Sequence, residues 1–146
     1  MGLREIIWDE TVRAKIAEDA TQLIDEQVAA KSGLGGMALK ATYGVVKSVG
    51  PSYIPGAVNR LLPEVCASLD PMWEEGIKAG DPVEYLSQNR ARAADAILET
   101  TDARAAKTDN KVVRSSYGKL RKSVKGDVEA AVPGLAQILA RHTLVS

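Results

Sequence analysis

Apolar side chains recur at steps of three and four along this chain, and nowhere do they alternate for long. Near the start, Val12, Ile16, Ala20, Leu23 and Gln27/Val28 follow that rhythm, while Arg13, Glu18 and Asp25 take the opposite side. Such spacing gathers apolar groups on one face of an α-helix. Alternation over several residues would be needed for a half-buried strand, and no Asn-Gly or Asp-Gly hairpin turn occurs. The predicted class is therefore all-α. With 146 residues the chain is long enough for one cored domain and short for two. Phe is absent and aromatics make up only 4%, so Ala, Val, Leu and Ile must fill most of the interior.

Start and stop signals divide the pattern into about six helices. Ser32-Gly33 closes the first, with Gly33 in the glycine position after a helix end. A second is predicted over 34–49, stopped by Gly50-Pro51, and a third to about Leu69. Asp70-Pro71 reads as an N-cap followed by a first-turn proline, opening a short helical segment within 70–80. Asp81-Pro82-Val83-Glu84 combines an acidic cap, a first-turn proline and a Glu at the capping-box position. The helix it opens is predicted to run to Thr108-Asp109. Another spans 110–125 until Gly126-Asp127, and the last spans 128–143 with Val128, Val132, Leu135, Leu139 and His142 in one stripe.

Four short matches recur in the same order in the two halves. Ala29-Ala30-Lys31 matches Ala105-Ala106-Lys107, Tyr43-Gly44 matches Tyr117-Gly118, Ser48-Val49 matches Ser123-Val124, and Ile54-Pro55-Gly56 matches Val132-Pro133-Gly134. Lys40 and Lys47 fall opposite Arg114 and Arg121 at the Tyr-Gly offset. The expectation is one domain over 1–146 made of two pseudo-symmetric three-helix repeats, 3–69 and 82–144, sharing a joint core.

Catalytic constellations are missing. One Cys and one His cannot build a zinc site, and no Glu stands three residues before His142 to suggest a di-iron bundle. Cys66 lies in an apolar stretch and reads as a buried hydrophobe. His142 reads as a core or interface residue near its helix's end. Gly33-Leu34-Gly35-Gly36 lacks the rest of a phosphate loop and reads as a helix–helix turn, followed by close packing through Gly36, Ala38, Ala41 and Gly44. Trp8 and Trp73 are either core fillers or interface anchors. No cofactor is expected. MGLREIIWDE is acidic within ten residues and has no apolar run, and Ile6 occupies the position where a myristoylation motif wants Ser or Thr, so neither a secretory signal nor that lipid anchor is expected. A cytoplasmic location follows as the expectation.

Charge is balanced overall but unevenly distributed. Residues 104–146 carry nine cations and three acids, against ten cations and sixteen acids in 1–103. Residues 104–125 hold Arg104, Lys107, Lys111, Arg114, Lys119, Arg121, Lys122 and Lys125 against Asp109 alone. On a helix, Val113, Tyr117, Leu120 and Val124 share a narrow face and should be buried, leaving Arg114, Arg121, Lys122 and Lys125 in solvent. The first expectation for function is a protein acting by self-association or macromolecular interaction. The second is a binder of nucleic acid or anionic membrane through those eight cations. A small-ligand pocket between the halves comes third.

Overall fold

The computed structural model describes Leu3 and residues 8–143. The readings that rest on Met1, Gly2 and Ile6 lie outside the described residues. Every regular element among those described is an α-helix, and there are seven: α1 (Glu10–Ala30), α2 (Gly33–Lys47), α3 (Tyr53–Lys78), α4 (Pro82–Gln88), α5 (Arg90–Lys107), α6 (Lys111–Arg121) and α7 (Lys125–Thr143).

The element starts follow from local chemistry. Asp9 caps α1, its carboxylate accepting from the Thr11 and Val12 N–H groups at 2.9 and 3.2 Å. Asp81 caps α4 in the same way, accepting from Val83 and Glu84 with Pro82 in the first turn, as its sequence demands. Asn110 accepts from the Val113 N–H at 3.1 Å to start α6. Gly33 has φ +77, a left-handed conformation that a side chain would strain, and it links α1 to α2.

Three predicted boundaries are corrected. Asp70-Pro71 opens no separate segment, because α3 runs unbroken through Pro63 and Pro71 to Lys78. Leu62, Val65, Cys66, Leu69, Met72 and Trp73 form one continuous buried stripe, all 8% exposed or less. An internal proline costs about 3 kcal/mol. Burying a large aromatic removes about 150–250 Å² from water, worth about 4–6 kcal/mol at 25 cal/mol per Å², so keeping Trp73 in register wins. The Asp70 carboxylate instead accepts the Leu3 N–H at 3.0 Å. The 82–108 helix breaks at Asn89, whose side-chain amide donates to the Tyr85 carbonyl at 2.8 Å. Finally, α6 stops at Arg121, and α7 begins at Lys125, running through Gly126 and Pro133.

Two layers result. The base comprises α1, α3, α4, α5 and α7. Within it α3 packs on α1, α4 and α5, and α7 packs on the same three. Their inner faces meet in a core of Ile16, Ala17, Leu69, Trp73, Leu86, Ala93, Val132, Ala136 and Leu139, with Leu3. The outer layer is the pair α2 and α6, which pack on each other; α2 also rests on α1, and α6 on α5.

The α3–α4 joint is close. A Cβ on Gly76 would lie 2.6 Å from Pro82 Cα and 3.1 Å from the Tyr85 Cβ. Backbone cannot yield as a flexible side chain would. Gly76→Val is expected to lose about 2 kcal/mol or more by overpacking, read from the urea midpoint. An unchanged midpoint would contradict the joint.

Candidate functional site

The outer layer is anchored at two places by the same chemistry. On α2, Tyr43 donates its hydroxyl to Asp25 Oδ1 of α1 at 2.5 Å, and Lys47 Nζ lies 3.8 Å from the same carboxylate. On α6, Tyr117 donates to Asp102 Oδ1 of α5, and Arg121 Nε lies 2.9 Å from that oxygen. Thr101 Oγ1 sits 2.7 Å from the Tyr117 hydroxyl. Each anchor is thus a tyrosine, a carboxylate on the preceding long helix, and a cation four residues after the tyrosine. The spacing works because residues four apart share a helix face.

These environments set the acidities. Burial and then the hydrogen bond to Asp102 push Tyr117 up to about 12, and burial with Asp25 raises Tyr43 further in the same direction. Asp102 is held below the usual carboxylate range, chiefly by the Tyr117 hydrogen bond and then by Arg121. A raised tyrosine keeps its proton longer folded than unfolded. Its contribution to stability is complete below pH ~10 and is lost as pH rises through ~12. Asp102 acts in the opposite sense, its contribution fading as pH falls below ~4. The melting temperature is expected to fall above pH ~10, and the double variant Tyr43→Phe, Tyr117→Phe to flatten that fall. Equal alkaline slopes in the two proteins would contradict the anchors.

The opposite sides of both helices face outward. At 100° per residue, Leu34, Met37, Ala38, Ala41 and Val45 lie on α2 opposite Tyr43. All five are exposed, Leu34 by 86% and Met37 by 69%. This corrects the expectation that Ala38, Ala41 and Gly44 pack closely; of that set only Gly36 is buried, against the Lys31 carbonyl. On α6 and its C-terminal cap, Lys111, Ser115, Lys119 and Lys122 lie opposite Tyr117, all exposed, with Val112 beside them. Tyr117, Leu120, Val113 and Val124 are half-buried rather than buried, and Ser116 is the buried side chain of α6.

The eight cations therefore divide. Arg104 pairs with Glu64 at 3.0 Å, Arg121 with Asp102, and Lys125 with Asp95 at 3.0 Å. Arg121 is half-buried where exposure was expected. Arg114 donates to the Thr108 carbonyl. Lys107, Lys111, Lys119 and Lys122 are exposed and make no ion pair among the described residues. Sequence alone missed the segregation of acids: residues 27–63 and 110–126, which contain α2 and α6, hold no Asp or Glu at all.

Elsewhere the chemistry is structural. Burial pushes the Cys66 thiol up to about 12, with Asp70 adding to the rise, so it stays protonated and unreactive. His142 Nε2 lies 3.0 Å from Asp19 of α1, tying α7 down. Trp73 fills the core, and Trp8 is 79% exposed. Among the described residues no three His, Cys, Asp or Glu side chains come together to hold a metal, and no helix is long and apolar enough to cross a membrane. Two grooves open on the surface, one of about 470 Å³ between α1 and the start of α3, the other of about 230 Å³ between α1 and α7.

The sequence profile of a family of unknown function, DUF6918, matches residues 3–143. The chain belongs to that family. The matched stretch spans all seven helices, the outer layer included. No curated protein and no solved structure matches the chain.

Proposed function

We propose that this DUF6918 protein is a binding protein whose working face is the outer layer of α2 and α6, and that this face takes an anionic surface. The observation that carries the proposal is the outward row of Lys111, Lys119 and Lys122 on a layer whose two helices contain no acid. A solvated helix face normally mixes both signs, and a row of one sign raises the local concentration of the opposite charge. Lys107 flanks the row at the end of α5. Arg104, Arg121 and Lys125 are left out of the binding set, because each already neutralises a carboxylate.

The layer has a further reading as the product of an internal duplication. What supports it is the pair of Tyr–Asp–cation anchors: Tyr43 with Lys47 and Tyr117 with Arg121 stand at one offset, and Asp25 and Asp102 serve both from the preceding helix. The packing agrees, since α1 meets α7 as α5 meets α3, and α2 meets α6 at the centre. In an experimental structure, superposing α2 on α6 should carry Asp25 onto Asp102; Asp25 landing on a different face would contradict the duplication.

Binding through lysines releases counterions, so log affinity for a polyanion should fall with log salt by about 0.7–0.9 for each contact. Heparin is the probe, titrated at two salt concentrations. The variant Lys111→Ala, Lys119→Ala, Lys122→Ala should lower the slope by about 2–3, whereas Arg104→Ala, Lys125→Ala should leave it near the wild-type value. No wild-type binding at low salt would overturn the proposal.

A further inference from the structure

Resting on that reading, we infer that the anionic surface is a lipid bilayer, with the α2 stripe immersed at the headgroup boundary and the α6 lysines on the phosphates. The outward face has two halves side by side. One is apolar: Leu34, Met37, Ala38, Ala41 and Val45 run along α2 for about 16 Å at 1.5 Å per residue, with Val112 exposed on α6. The other is the lysine row. α2 also buries Gly36 and Leu39 on its inner side, so it carries apolar residues on both its inner and its outer face. A helix of that kind is normally covered.

Charge complementarity identifies the cover. A second copy seated on α2 would bring two acid-free layers together, with both lysine rows beside the contact and no carboxylate in either layer to neutralise them. Nucleic acid would satisfy the lysines and leave Leu34 and Met37 in water, and the outward face offers no aromatic ring for a base to stack on. An anionic bilayer uses both halves at once: interfacial helices bury a Leu-bearing face to about 5–10 Å while lysines meet the lipid charge. Lys40 is exposed between the α2 stripe and the Tyr43 side, and its long stem can lie along apolar surface with the charge at the headgroups, whereas Lys47 stays with Asp25 at the anchor.

The test uses the full chain with phosphatidylcholine vesicles, with and without phosphatidylserine, in a sedimentation assay. Duplex DNA and heparin serve as soluble polyanions. The variant is Leu34→Gln, Met37→Gln, which keeps helix propensity and changes only side chains already in water. Wild type is expected to bind the serine-containing vesicles and not the neutral ones. The variant should partition at least about tenfold less, since each apolar side chain moved from water is worth about that much or more. Its heparin binding should be unchanged. Wild-type binding to heparin or DNA without vesicle binding would overturn the bilayer inference and leave the anionic-surface proposal standing. Binding to none of the probes would overturn both. Equal vesicle binding by variant and wild type would overturn the role of the stripe. A dimeric mass in light scattering that the variant abolishes, with no vesicle binding, would make a second copy the occupant.

Discussion

Trp73→Ala is expected to lower the unfolding free energy by about 3–5 kcal/mol, the range for truncating a large buried aromatic. Trp73 is fully buried and heads the core, with Leu69 and Met72 flanking it on α3 and Leu86, Ala93 and Leu139 arriving from α4, α5 and α7. Among the described residues Trp73 is the only aromatic side chain that is buried, so no second buried ring shares the space it fills. Domains of this kind are stable by about 5–15 kcal/mol, so a large share of the total rests on one side chain. Its indole N–H has no hydrogen-bond partner among the described residues, so the loss is one of packing. Trp73→Phe should therefore cost much less, because a smaller cavity is partly offset by removing a buried donor that nothing satisfies. Chemical denaturation of the three proteins reads this directly. A small loss in Trp73→Ala, under about 1 kcal/mol, would contradict the core described above.

The second large effect concerns how the outer layer is seated. Gly36→Ala puts a Cβ 2.4 Å from the Lys31 carbonyl oxygen and 2.7 Å from its carbon. Both are backbone atoms at the end of α1, so the α1–α2 joint itself must move. Overpacking of this kind costs about 1–3 kcal/mol, which for a chain of this length lowers the melting temperature by about 2–4 °C per kcal/mol. Gly35→Ala is the control, since its Cβ would meet only the flexible end of Lys31, at 3.5 Å. Gly44→Ala and Gly118→Ala meet nothing within 4 Å and should stabilise their helices by about 0.5–1 kcal/mol. A Gly36→Ala protein that melts with the wild type would show that α2 is not seated on the end of α1.

How much of this was legible in the sequence depends on which force decided each feature. Stripes of three and four gave the class and most helices, because burying an apolar face dominates local structure. Boundaries went wrong where a local signal competed with a longer stripe. Asp70-Pro71 looks like a start signal, yet the Leu62–Trp73 stripe passes through it. Conversely, Asn89 bends a helix whose apolar pattern reads straight across. The basic character of α6 was legible from composition, but its partners were not. Glu64, Asp95 and Asp102 lie far in sequence from the cations they pair with, and only the fold brings them together. Ala38 and Ala41 read as closely packed but lie on the exposed α2 stripe, because small apolar residues show that a close face can exist and not what covers it. The Tyr-Gly matches pointed to the two anchors without naming Asp25 or Asp102, since a carboxylate supplied by another helix has no local signature.

The most direct measurement is amide hydrogen exchange of the full chain, alone and with phosphatidylserine vesicles, resolved by segment. Binding through the outer layer predicts slower exchange on adding vesicles in residues 34–49 and 111–122, with α3 and α7 unchanged. Protection centred instead on the groove between α1 and the start of α3, or on the α4–α5 side, would place the binding face elsewhere and contradict the account.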